Sequence, residues 1–473
     1  MFSQGLAVAI QLVSTVVLGR LLSPEDYGIM AMVMAVTAFA GLFRDLGLSA
    51  AAIQRQELSR GQQSNLFWLN VAMGTLLTLG LVTGSSWVAA FYRKAEVRNV
   101  ICLVAFNFVI GSLGTQSGVT LLRKLEFGKK AATEIAGSIV GLVVSIVLAL
   151  RGHSYWSLAW GGVVSAVVTT TALFLFSGFF PSLPRPGTGL REMLKFGASI
   201  TTFELINYFH RNLDNILVGR VCGTEALGLY SRAYSLLMLP INAMRNPILS
   251  VGFPAMSRIQ YEPESFRNYY LQVVRLMALA AMPLTAFLFV SARPIVRLIL
   301  GEKWEPICPI FSILAVVAFI QPMLTLWAMV VQSRGLGKRY VQMGIFNTFC
   351  SVSGFGIGLF WGPIGVAAGY ALATYLSAWP LLRWAYQGTA IRVRDFVREI
   401  ASPGVASVSA GGCAAAALIG ISGLGWMPWG KLMIAGFVFC PAYLLVLSLL
   451  PGGKRDLAVI WGFVRSKGFA RSG

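Results

Sequence analysis

The chain is short of charge, of histidine and of paired cysteine. Only 12% of its 473 residues are Asp, Glu, Lys or Arg, against about 25% in a soluble globular protein. That excludes a sizeable soluble domain. Two histidines, His153 and His210, are too few for a histidine-built metal cluster. Cys102, Cys222, Cys308, Cys350, Cys413 and Cys440 lie in or beside apolar segments, with no C-x-x-C spacing. Neither a disulfide framework nor a zinc site is indicated. The G-x-x-x-x-G-K-[ST] phosphate loop is missing, which excludes an ABC-type pump within this chain. No D-x-D occurs and the outward loops are short, which weighs against a polytopic glycosyltransferase, polymerase or ligase. No basic n-region or small-residue cleavage site attends the first apolar segment, so it reads as a retained helix.

What fills the space is long apolar runs. Hydrophobic residues make up 56% of the chain and mean hydropathy is +0.71. Runs of about 20 apolar residues read as membrane-spanning helices. Fourteen are expected, near 1–20, 28–48, 66–90, 100–122, 131–150, 155–179, 197–218, 226–251, 269–290, 309–332, 341–361, 364–383, 401–422 and 429–450. The net charge of +20 sits mainly in the short loops, as in a membrane protein setting its orientation, so no nucleic-acid partner is expected. With the N-terminus inside, 24 Lys and Arg fall in inward loops and the tail, and ten in outward loops. This places both termini in the cytoplasm.

The chain repeats itself. "LGRLLSPEDYG" (Leu18 to Gly28) returns as "VGRVCGTEALG" (Val218 to Gly228) at an offset of 200 residues without a gap. Gly19, Arg20, Glu25 and Gly28 match Gly219, Arg220, Glu225 and Gly228. "RDLGLS" at Arg44 is echoed by "RNPILS" at Arg245. Six spans separate the copies, so both cross in the same direction, as in transporters built from two parallel halves. The expected fold is therefore an all-α polytopic membrane protein with two pseudo-symmetric six-helix lobes around a central cavity, plus two C-terminal helices. Its expected parts are an N-lobe at 1–180, a cytoplasmic linker at 181–196, a C-lobe at 197–385, spans 13 and 14 at 386–452, and a basic cytoplasmic tail at 453–473.

The seventh span carries polar residues at membrane depth. Glu204, Asn207, Arg211, Asp214 and Asn215 fall on one helical face. Such residues cost several kcal/mol against lipid, so the face points inward. Arg211 and Asp214 are spaced to pair as an internal packing bridge. Alternatively, Arg211 is available to an anion, and Glu204 and Asp214 to a coupling Na+ or H+. Gln11 marks the matching, neutral face of the first span. Arginines at comparable depth are Arg44, Arg211, Arg232, Arg245 and Arg275, against the carboxylates Asp45, Glu204 and Asp214, with Glu134 at the edge of the fifth span. A cavity lined by these is cationic and concentrates anions, and guanidinium forks suit phosphate oxygens. For Arg44 and Arg245, snorkelling to headgroups is the competing reading.

The runs "LGRLLSPEDYGIMAMVMA", "DLGLSAAAIQR", "NLDNILVGRVCGTEALGLYSRAYSLLMLP" and "GEKWEPICPIFSILA" resemble the polysaccharide transporter family of the multidrug/oligosaccharidyl-lipid/polysaccharide exporter superfamily. The resemblance covers nearly the whole chain. It implies a flippase of undecaprenyl-diphosphate-linked oligosaccharide repeat units in the bacterial inner membrane, for exopolysaccharide or O-antigen synthesis. It further implies alternating access around a positively charged cavity, no cofactor, and lipid-linked oligosaccharide, membrane lipids, a polysaccharide polymerase and export machinery as partners. Carried onto this chain, it points to Arg211 and Asp214, and more weakly to Arg44. Members usually carry a short basic segment before the first span, whereas here Met1 stands almost inside it. The alternatives are a cation-coupled drug antiporter of the same superfamily, a polytopic glycosyltransferase or polymerase, and an inert scaffold. The excess of buried arginine over carboxylate weighs against the antiporter, and a scaffold leaves the polar face unexplained.

Overall fold

The computed structural model describes residues 2–45, 47–54, 59–184, 190–421, 426–453 and 456. The side chains of 2–4, 50–51, 54, 190–204, 206–207 and 210–211 lie outside that description. Among the described residues the chain is all helical. The helices are α1 (Phe2–Leu21), α2 (Pro24–Asp45), α3 (Leu48–Gln54), α4 (Arg60–Tyr92), α5 (Glu96–Arg123), α6 (Phe127–Leu150), α7 (Trp156–Ser177) and α8 (Leu190–Arg258). There follow α9 (Pro263–Val290), α10 (Ala292–Ile299), α11 (Cys308–Leu324), α12 (Trp327–Ser333), α13 (Gly337–Gly358), α14 (Gly362–Ala385), α15 (Val393–Gly420) and α16 (Pro428–Leu449). Among the described residues ten stretches are long and apolar enough to cross a bilayer, one of them, Gly337–Ala385, holding both α13 and α14. The protein is a multi-pass membrane protein. Helices suit this solvent because they satisfy every backbone polar group internally.

Local chemistry sets the breaks. Ser23 opens α2, its hydroxyl accepting from the Asp26 N–H at 3.2 Å while the Asp26 carboxylate accepts from the Ser23 N–H at 2.8 Å. Ser59 and Gln62 form a capping box at the start of α4. The 69 residues of α8 contain three prolines, yet the backbone leaves helical geometry only at Gly223, with φ 88° and ψ −176°. Spans 7 and 8 of the sequence reading are thus the two sides of that break. A φ of this sign falls on glycine, which has no Cβ to clash.

The described chain divides into two compact units, Met1–Ser231 and Arg232–Gly473, and the division falls within α8. In the first unit, α4 and α5 are stitched by polar side chains. The Thr78 hydroxyl donates to the Ala105 carbonyl at 2.9 Å, and Gln63 Nε2 donates to Thr120 Oγ1 at 2.6 Å. In lipid, where apolar surface gives helices little reason to associate, close packing and such bonds take over.

The repeated stretches meet each other inside this unit. A Cβ on Gly28 would lie 1.8 Å from the Thr224 carbonyl oxygen, and a Cβ on Gly228 would lie 1.8 Å from the Pro24 carbonyl oxygen. Position 24 corresponds to 224 and 28 to 228. The contact is therefore reciprocal, as a twofold relation between equivalent surfaces requires. Two copies can do what one cannot: each offers its glycine to the other's carbonyl.

In the second unit, a core around Met277, Trp327, Met329 and Phe396 packs α9, α12 and α15 together. Helices α13 and α14 cross on glycines. A Cβ on Gly354 or Gly358 would lie 2.5 or 2.1 Å from the carbonyl oxygens of Gly369 or Gly365.

Candidate functional site

Helix α2 ends at Asp45, and Gly47, with φ 68°, turns the chain into α3. The Asp45 carboxylate caps α3, taking the Ser49 N–H at 3.0 Å and the Ser49 hydroxyl at 2.8 Å. Arg123, the last residue of α5, donates Nη1 to the Ala52 carbonyl at 2.7 Å. The end of α5 therefore lies beside α3, and Arg44 stands above it in the last turn of α2.

The Arg44 side chain is exposed. It lies against the middle of α5: a Cβ on Gly111 would be 3.0 Å from Arg44 Nη1. Gly111 precedes Arg123 by twelve residues, or about 18 Å at ~1.5 Å per residue. In a 28-residue helix that is close to the midpoint. Asp45 is engaged in capping, and among the described residues no carboxylate pairs with Arg44.

Further along the first unit, Asp214 is buried, with 7% exposure. Its Oδ2 accepts from the Tyr230 hydroxyl at 3.0 Å and its Oδ1 from the Asn215 N–H at 2.8 Å. The Tyr230 bond spans the break at Gly223. Asn215 keeps a buried side-chain oxygen without a hydrogen-bond partner among the described residues. Glu204, Asn207 and Arg211 lie on the same helix, but their side chains are outside the described residues. Gln11 is exposed on α1, and its carbonyl accepts from the Thr15 hydroxyl at 2.8 Å.

Around the repeat contact, Glu25 accepts from Lys94 at 2.9 Å and from the Thr224 hydroxyl at 3.2 Å. The Glu25 carboxylate holds the Lys94 ammonium above its ordinary pKa. Sequence reasoning treated Glu25 only as a matched position and did not single out Lys94, because nothing in the spacing of residues 25, 94 and 224 announces their meeting.

In the second unit, Arg245 is half-buried, and its Nε has no hydrogen-bond partner among the described residues. Arg232 is half-buried too, and it is engaged with other groups. Arg275, counted in the sequence reading as a cation open to an anion, is held by two carboxylates. Its Nη1 donates to Glu399 at 2.7 Å, and its Nε and Nη2 donate to Asp456 at 2.5 and 2.8 Å. Asp456 is 1% exposed. Both partners come from outside the apolar spans whose carboxylates were counted, so the sequence tally left them out.

The polysaccharide biosynthesis protein family matches residues 17–309, more than half of the chain. The chain belongs to that family. It is 26% identical over 377 residues to the lipopolysaccharide biosynthesis protein WzxC of Escherichia coli K12, covering 78% of this chain and 76% of the relative. It is 28% identical over 335 residues to the teichuronic acid biosynthesis protein TuaB of Bacillus subtilis, covering 69% and 68%. The succinoglycan biosynthesis transport protein ExoT of Rhizobium meliloti is 22% identical over 306 residues, covering 65% of this chain and 62% of that protein. Among solved structures, the lipid II flippase MurJ in an inward closed conformation has a TM-score of 0.77 at 14% identity, covering 97% of this chain and 99% of that one. An inward-facing multidrug resistance transporter of the MATE family, in the MOP superfamily, has a TM-score of 0.64 at 17% identity, covering 80% and 93%. These likenesses show that the chain shares the helical fold of those transporters.

Proposed function

We propose that this protein flips undecaprenyl-diphosphate-linked oligosaccharide repeat units across the bacterial inner membrane by alternating access. It makes fourteen crossings with both termini in the cytoplasm, forms no bond and acts on no bond. A Na+ or H+ gradient, the membrane potential or use of the product outside supplies the drive, and a polymerase and export machinery outside consume the product.

One observation carries the reading: the exposed guanidinium of Arg44 lies at the middle of a spanning helix, against Gly111. Snorkelling carries an arginine head toward an interface, and this one is about 18 Å, at ~1.5 Å per residue, from the α5 end that an interface would demand. Facing lipid at that depth costs several kcal/mol. An exposed arginine there belongs to water-filled space, and its forked donors match diphosphate oxygens. Membership of a polysaccharide biosynthesis family, with a transport protein among the relatives, supports a sugar-bearing anion over a cationic drug.

The test uses cells that assemble the polymer. Arg44→Ala, Arg44→Lys, Arg211→Ala and Arg211→Lys are compared for lipid-linked repeat units retained on the cytoplasmic side. Loss of a charge-assisted phosphate contact is worth about 1.5–3 kcal/mol, so Arg44→Ala is expected to slow flipping at least about tenfold. Lysine, which keeps charge but lacks the fork, restores only part. Normal export by every variant overturns the assignment, and Na+-driven movement of a fluorescent cationic drug establishes the antiporter instead.

A further inference from the structure

We propose that Gly111 is a positioning residue for Arg44, an inference that rests on the reading of Arg44 as the diphosphate-binding group. The surroundings of Gly111 are unusually simple. Among the described residues a Cβ built there would have only two neighbours within 4 Å outside its own helix turn: Arg44 Nη1 at 3.0 Å and Arg44 Cζ at 3.9 Å. The guanidinium lies where a side chain at position 111 would stand. Glycine at this point is what lets the head group settle against the α5 backbone.

Two further observations explain why the head group stays available there. The Gly111 carbonyl, a backbone acceptor of that turn, already takes the Thr115 hydroxyl at 3.0 Å. The neighbouring carboxylate, Asp45, is consumed in capping α3. Among the described residues Arg44 is thus placed by packing rather than by a hydrogen bond, and its donors remain free for ligand oxygens. One turn above, Asn107 keeps a buried side-chain oxygen without a partner among the described residues, so this stretch of α5 is polar as well as open. Any side chain at 111 with a branch at Cβ takes the space of the guanidinium and turns it off the helix. Alanine asks only for a shift of a few tenths of an ångström at the end of a flexible side chain.

The proposal is tested with a double-mutant cycle in the full-length protein, reading repeat-unit flipping in cells. Gly111→Val is expected to lower flipping about tenfold, Gly111→Ala less than about twofold, and Gly111→Val to add nothing in an Arg44→Ala background. Gly118→Ala, on the same face of α5 with nothing within 4 Å of its Cβ, is the control for adding a side chain to this helix and leaves flipping unchanged. Gly111→Val that leaves flipping intact overturns the proposal, as does an equal loss with and without Arg44. Full activity of Arg44→Ala overturns the reading of Arg44 itself, whereas full activity of Gly111→Val beside an impaired Arg44→Ala overturns the positioning role alone.

Discussion

Asp214 shows how a carboxylate is kept at membrane depth. Arg211, the partner offered by i, i+3 spacing, has its side chain outside the described residues; among the described residues Asp214 bonds to the Tyr230 hydroxyl and the Asn215 N–H. A neutral hydroxyl from beyond the Gly223 break thereby pins the two sides of α8 at an angle the backbone alone leaves open. Tyr230→Phe removes one buried bond and leaves its acceptor under-satisfied, at a cost of about 1–3 kcal/mol. Detergent-purified Tyr230→Phe protein is expected to unfold at a lower temperature than the parent, and an unchanged midpoint would sink the assignment. The polar face that includes Asp214 was legible because helical spacing gathers residues 204, 207, 211, 214 and 215. Tyr230 was not, because it lies sixteen residues on, across a change of direction that one glycine makes.

At the scale of elements, the Gly28 and Gly228 contacts bring α2 and α8 together carbonyl against Cα. No rotamer relieves an added methyl at 1.8 Å, so the helices must part. Gly28→Ala and Gly228→Ala are each expected to cost at least about 1–3 kcal/mol. Both force the same separation, so the double variant loses less than the sum of the singles. Thermal midpoints of the four proteins check this, and strict additivity would show two independent contacts. The sequence register told which glycines correspond. That corresponding residues touch each other's partners is a property of the packed helices. The helix ends tell the same story: the apolar run near 66–90 omits the first turn and a half of α4, whose capping box begins at Ser59, because apolarity marks the membrane-embedded part of a helix and not its polar start.

At the scale of the molecule, the charge of a membrane protein cannot be tallied from its spans alone. Arg275 draws Glu399 and Asp456 onto α9, tying the chain beyond α16 back into the second unit across 181 residues. Arg275→Leu leaves Asp456 buried without its cation, at a cost of about 3–5 kcal/mol. The double variant Arg275→Leu with Asp456→Leu is expected to regain most of that. Thermal unfolding and the rate of proteolysis of the C-terminal tail measure both. If the single variant is as stable as the parent, the clamp contributes nothing to holding the tail.

Sequence alone determined that this chain lives in a bilayer as helices and that it carries a repeat at an offset of 200. Apolar run length, register and residue type are all written along one dimension. Tertiary structure alone decided how Arg44 and Arg275 differ: among the described residues Arg44 rests on a glycine with its neighbour's carboxylate spent on a cap, whereas Arg275 is covered by two carboxylates. A guanidinium's availability depends on what folding brings within about 3 Å of it, and sequence separation says nothing of that distance.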